Sequence, residues 1–193
     1  SNSSFHEPAM NLAPAVRRQT LSDLLHRTAA RLPHKPGILC GDTQWTWREF
    51  DAVVSRLAAG LHAQGVAQGE HVGVLARNSH GFSALRFALA RLGAVMVPVN
   101  FMLNADEAAY ILRHAGVKLL AVDSGLHALG QDAAKRDTQI SRFLWLPSED
   151  PSTCPAGCLD FNALIATDLA KHPCPDPDFN SHHLLQIVYT SGT

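Results

Sequence analysis

Between residues 71 and 146 the sequence alternates short, uninterrupted apolar runs with stretches of helical periodicity, and this alternation restricts the fold more than any other feature. Residues 71–76, 94–99, 117–122 and 143–146 read as strands, and residues 79–92, 104–114 and, more weakly, 124–135 read as helices. The strands are continuous apolar runs rather than alternating ones, as expected when helices cover both faces of a sheet. Strand–helix–strand repetition with short links implies right-handed crossovers, hence an α/β fold with a doubly wound, mainly parallel sheet.

Punctuation residues support these boundaries. Gly93 follows the second helix and Gly116 the third, and Asn104 stands where a cap is needed, with Glu107 completing its pattern. Upstream, Leu21, Leu24, Leu25 and Leu32 share one face of a helix over about 21–31 that Thr20 can cap and Pro33 follows. Gly41-Asp42 suits a tight turn between strands at 37–40 and 43–46. Thr46-x-x-Glu49 is a capping box opening a long helix, with Phe50, Val53, Val54, Leu57, Ala58 and Leu61 as its apolar stripe and Gly65 at its end. Downstream, 147–157 reads as a loop, 160–169 as a short helix, 171–181 as a Pro- and Asp-rich connection, and 184–189 as a final strand.

Composition narrows the function classes. Hydrophobic residues are 46% of the 193-residue chain and charged residues 17%, a globular balance. A net charge of −1 gives no electrostatic case for nucleic acid or an anionic membrane. No apolar run approaches the length needed to span a bilayer, and Ser1-Asn2-Ser3-Ser4 lacks the regions of a signal peptide and is readable as a tag remnant. The expectation is a cytoplasmic protein with a flexible extension at 1–19. Cys154-Pro-Ala-Gly-Cys158, His172 and Cys174 can be drawn as a zinc site, but their spacings match no common zinc pattern, so free thiols and no metal are expected. His182-His183 lacks a metal-binding spacing and reads as loop histidines.

Ligands of open parallel sheets bind beyond strand carboxyl ends. Thr190, Ser191, Gly192 and Thr193 stand at such an end, where small hydroxyl residues and a glycine let backbone N–H groups approach phosphate. Taken alone, these four residues fit an ordinary strand-to-turn junction better. Asn78 is read as part of a helix-initiating turn, while Asn100, beyond a strand end, has the stronger claim to a site role. Trp45 and Trp47 are expected in the core. Neither a Walker loop, nor a dinucleotide fingerprint, nor a nucleophile elbow is present; Gly65, Gly69 and Gly73 read as turn residues.

Several segments resemble, in order, the opening of the adenylate-forming (AMP-binding) superfamily. They are Thr46-Trp47-Arg48-Glu49-Phe50, the stretch from Gly60-Leu61 through Gly65 to Gly69-Glu70-His71-Val72, and Arg77-Asn78-Ser79. Ala90-Arg91-Leu92-Gly93-Ala94-Val95-Met96-Val97-Pro98-Val99-Asn100 follows, then Leu103-Asn104-Ala105-Asp106-Glu107 with Tyr110-Ile111-Leu112. Tyr189-Thr190-Ser191-Gly192-Thr193 is similar to the start of the superfamily's signature loop, which continues Thr-Gly-x-Pro-Lys-Gly. The Pro98-Val99-Asn100-Phe101-x-Leu103 stretch with Glu107 looks most like the fatty-acyl and related acid:CoA ligases.

The resemblance implies activation of a carboxylic, most readily fatty, acid by ATP with Mg²⁺ to an acyl-adenylate, then transfer to coenzyme A as a thioester. It assigns triphosphate binding to Thr190, Ser191, Gly192 and Thr193, and no catalytic residue to this chain. It casts residues 20–193 as the amino-terminal part of the large domain, inactive by itself, with an uncovered sheet edge open to self-association. Alternatives are a non-catalytic module for protein association, an adenylation domain or aryl-CoA ligase with another acceptor or acid, and an unrelated doubly wound nucleotide-binding protein.

Overall fold

The computed structural model describes residues 21–150 and 152–175; the expected extension at 1–19, Thr20, the strand at 184–189 and Thr190, Ser191, Gly192 and Thr193 lie outside the described residues. The chain begins with α1 (Leu21–Arg31), β1 (Pro36–Cys40), β2 (Thr43–Thr46) and α2 (Trp47–Ala63). It then alternates through β3 (His71–Leu75), α3 (His80–Leu92), β4 (Val95–Pro98), α4 (Ala105–His114), β5 (Leu119–Val122), α5 (His127–Ala134) and β6 (Arg142–Trp145). A two-residue β7 (Leu159–Asp160) and a single turn, α6 (Phe161–Leu164), follow.

β1 and β2 form an antiparallel hairpin, and the other five strands form a parallel sheet in the order β4-β3-β5-β6-β7. The chain leaves β3 toward β4 on one side, then crosses to β5 on the other. That reversal makes the fold doubly wound and puts the switch point between the carboxyl ends of β3 and β5. Alternate strand residues feed two cores. Val72, Val74, Met96, Leu119, Ala121 and Leu144 pack with α1, α2 and α3, while Leu75, Val97, Leu120, Val122 and Trp145 pack with α4 and α5. β5 is buried at every position, which explains its unbroken apolar run.

The local signals act through identifiable atoms. Thr46 Oγ1 accepts from the Glu49 N–H at 3.2 Å and Glu49 Oε1 from the Thr46 N–H at 3.4 Å, so the capping box forms in both directions. Asn104 Oδ1 accepts from the Glu107 N–H at 2.9 Å at the start of α4. Trp45 and Trp47 gather around the fully buried Phe50, with ring centroids 6.0 and 6.4 Å from it.

Three sequence expectations need correction, and one short strand has no counterpart among them. Leu24 is exposed, because the inward stripe of α1 runs through Ser22, Leu25 and Ala29, and Ser22 is drawn in by Arg91, whose Nε donates to its hydroxyl at 2.7 Å. Residues 160–169 yield only the one-turn α6, with Asp160 Oδ1 accepting from the Asn162 N–H. β7 is too short to leave a periodicity. Gly73 is no turn residue: it lies within β3, and a Cβ there would stand 2.8 Å from Leu112 Cδ2 and 2.9 Å from Leu120 Cδ1, so α4 seats directly on it.

Candidate functional site

The loops leaving β3, β5 and β6 converge at the switch point around a cavity of about 260 Å³, walled by residues 77–79, 123–125 and 148–150. Its keystone is Asp123, 3% exposed, at the end of β5. Asp123 Oδ2 accepts from the Arg77 N–H at 2.8 Å, and Oδ1 from the Leu126 N–H at 3.0 Å. One carboxylate thus fixes the turn after β3 and the turn leading into α5. An ionised carboxylate is the strongest acceptor available for two main-chain donors that would otherwise be stranded.

Gly125 keeps the opening clear. A Cβ there would come within 3.3 Å of Arg77 Nη1 and 3.5 Å of Asp123 Oδ1. The Arg77 guanidinium crosses the glycine with its carbon 5.6 Å from the Phe101 ring centroid, a cation–π distance. Opposite, the Ser124 and Ser148 hydroxyls lie 3.0 Å apart and bond to each other. Ser79, which accepts from the Phe82 N–H at 3.1 Å, starts α3 at the cavity wall.

The wall presents one guanidinium and three carboxylates, Asp123, Glu149 and Asp150, together with seryl hydroxyls. Such a surface suits the hydroxyl- or amide-rich part of a ligand and repels a triphosphate. The two serines share one hydrogen bond, and the Ser148 hydroxyl also donates to the Asp150 carbonyl at 3.4 Å, which makes a recognition surface rather than a nucleophile–base pair. Among the described residues, no three His, Cys, Asp or Glu side chains converge as metal ligands. The grouping drawn from Cys154, Cys158, His172 and Cys174 does not assemble: Cys174 packs on the α2–α3 side of the sheet, Cys154 and Cys158 on the α4–α5 side.

Asn78, read from sequence as a turn residue, lines the cavity. Asn100 does not; its Oδ1 accepts from the Met102 N–H at 2.9 Å in a local turn. The sequence reading does not single out Asp123, although an acidic residue directly after the run 117–122 and before Ser124-Gly125 is a readable sign of a strand-end loop. His80 and His127 open the two helices that begin beside the cavity. Both rings turn into aromatic clusters, His80 against Trp45 and Phe161, His127 against Phe143 and Trp145. Burial pushes the His80 imidazole below its ordinary value. No helix among the described residues is long and apolar enough to cross a membrane.

Comparison with known proteins agrees with this architecture. The chain is 29% identical over 183 residues to the peroxisomal benzoate–CoA ligase of Arabidopsis thaliana, covering 88% of this chain and 31% of that protein. It is 30% identical over 175 residues to the fatty acid–[acyl-carrier-protein] ligase ScoC of Streptomyces coeruleorubidus, covering 91% of this chain and 31% of that protein. The chain therefore spans about a third of the length of these curated relatives. Among solved structures, the anthranilate CoA ligase AuaEII in complex with anthranoyl-AMP superposes with a TM-score of 0.75 over 89% of this chain and 32% of that one, at 24% identity. The N-terminal domain of FACL13 from Mycobacterium tuberculosis gives 0.70 over 90% of this chain and 42% of that one, also at 24% identity. At that identity the two structures speak to the fold. The family model for the AMP-binding enzymes matches residues 25–193, and with that match over most of its length the chain belongs to the AMP-binding enzyme family.

Proposed function

We propose that, in the full-length protein, this chain is the amino-terminal part of a ligase that activates a carboxylic acid with ATP and passes the acyl group to coenzyme A. The observation that carries this reading is the family match over 25–193, joined to relatives whose names are those of acid–CoA and acid–carrier-protein ligases. In this reading residues 20–193 begin the large domain, and residues 1–19 are an extension ahead of it. A fatty acid is the substrate class favoured by the stretch around Pro98-Val99-Asn100 and Glu107.

The division of labour follows from charge. Joining a carboxylate to a triphosphate brings two anions together, so the protein has to position them and neutralise charge as it develops. The acidic lining of the switch-point cavity is unsuited to the triphosphate. Thr190, Ser191, Gly192 and Thr193 supply small hydroxyls and a glycine without carboxylates, and they are the segment we assign to it, with Mg²⁺. The 193-residue chain alone carries no assigned catalytic group and is proposed to be silent.

The test is ATP–pyrophosphate exchange by the full-length parent with short, fatty and aryl acids, followed by thioester assay with coenzyme A. Exchange with at least one acid, and a thioester once coenzyme A is added, is expected. Absence of exchange with every acid would overturn the reading; exchange without thioester formation would replace coenzyme A by another acceptor.

A further inference from the structure

We propose that Cys154 and Cys158 are a dithiol pair that closes reversibly to a disulfide, clamping the segment between the switch-point cavity and β7. This modification is independent of the ligase reading. The geometry comes from a tight turn: the Cys158 N–H donates to the Pro155 carbonyl at 3.2 Å, and Gly157 takes φ +86°. Only glycine holds that conformation cheaply. The turn folds the chain back, so that the Cys154 thiol lies 3.8 Å from the Cys158 carbonyl oxygen and 3.9 Å from that of Leu159, and Asp160 lies close enough to act on its charge. Both cysteines carry free thiols and pack partly buried against the α4–α5 side of the sheet. The turn connects Ser148, Glu149 and Asp150 of the cavity wall to Leu159 of β7, so a bond across it shortens the tether between them.

The environment selects the chemistry. Burial pushes both thiols above the ordinary cysteine value, and for Cys154 the Asp160 carboxylate and Cys158 add to it. That penalty falls on the thiolate and spares a neutral disulfide. The oxidant is a small-molecule disulfide. Cys158, with only burial against its ionisation, loses its proton to solvent and attacks one sulfur of the reagent, forming a mixed disulfide and expelling one thiolate. Cys154 then loses its proton and attacks the Cys158 sulfur, which expels the second thiolate. The two cysteines lose two electrons, and the reagent ends as two thiols.

The experiment uses the 193-residue chain in buffers of oxidised and reduced glutathione at mildly alkaline pH, quenched by alkylation. Trypsin cleaves after Arg142 and Lys171, and peptide 143–171 contains Cys154 and Cys158 but neither Cys40 nor Cys174. The expected product is that peptide lighter by ~2 Da and unalkylated, with an equilibrium constant for closure at least about tenfold higher in the native chain than in urea, about 30 mV for a two-electron couple. Cys154→Ser should leave Cys158 as a glutathione adduct, and Cys158→Ser should slow the first attack. Alkylation of both cysteines throughout, pairing to Cys40 or Cys174, or a native constant no higher than that in urea would each overturn the proposal.

Discussion

Asp123 Oδ2 and the main-chain N–H of Arg77 are 2.8 Å apart, and this bond joins the ends of two neighbouring parallel strands where the winding of the sheet reverses. With its second oxygen on the Leu126 N–H, the carboxylate does for two loops what a cap does for one helix. Asp123→Ala should therefore strand two donors and lower stability by about 3 kcal/mol, since each stranded buried donor costs about 1–3 kcal/mol. Asp123→Asn keeps one good acceptor and should lose about half as much. Urea unfolding measures the cost, and faster hydrogen exchange at Arg77 and Leu126 in both variants would locate it.

Arg91 organises the opposite face. Its guanidinium donates to Asp51 Oδ1 at 2.7 Å, Ser55 Oγ at 2.7 Å and Ser22 Oγ at 2.7 Å, binding α1, α2 and α3 with a side chain 11% exposed. Removing Arg91 leaves the largely buried Asp51 with only the exposed His26, 3.0 Å from its Oδ2, as a side-chain ion-pair partner, so Arg91→Met should cost about 3 kcal/mol. Arg91→Lys keeps the charge but cannot fork to three side chains on two helices, and should recover less than half of that. The loss should appear first as exchange of the α1 amides; uniform exchange across α1, α2 and α3 would contradict this role.

These two residues mark what the sequence disclosed and what it did not. Strands, helices and caps were legible because each follows from neighbours within one or two turns: Thr46 with Glu49, Asn104 with Glu107, Gly93 after α3. Strand order is not local. Nothing in the residues of β5 says that it pairs with β3 rather than β4, so the meeting of Arg77, Asp123 and Ser148 could not be read from spacing. The general rule for strand ends favours Asn100 over Asn78, whereas the winding puts Asn78 at the switch point. The exposed Leu24 is a related case, since the polar contact of Ser22 with Arg91, 69 residues away, decides how α1 turns.

Gly73 tests how closely the second layer is seated. A β-carbon at this position would meet Leu112, Val117 and Leu120, all fully buried, at 2.8–3.0 Å. Gly73→Ala should cost about 1–3 kcal/mol through overpacking, although alanine suits a strand no worse than glycine. The double variant Gly73→Ala with Leu112→Ala makes room on α4, and its loss should fall short of the sum of the two single losses by more than about 0.5 kcal/mol. Additive losses would mean that α4 does not rest on Gly73.

The last prediction concerns acid sensitivity. The His80 ring is wedged edge-on between Trp45, at 5.4 Å, and Phe161, at 6.3 Å, and its buried Nδ1 has no hydrogen-bond partner among the described residues. Burial lowers its affinity for a proton below the ordinary value of 6.5. The unfolded chain therefore binds this proton more readily than the native one, and stability rises with pH across the interval between the two values. The contribution is fully present above pH 6.5 and is lost as pH falls through the lower, folded-state value, beyond which the curve levels. His80→Leu removes the titration while keeping an apolar filler between the rings. Urea unfolding from pH 8 to pH 5 should show a shallower decline for His80→Leu than for the parent, with the curves separating only below pH 6.5. Parallel curves through that range would show that the buried imidazole takes no part in the acid response.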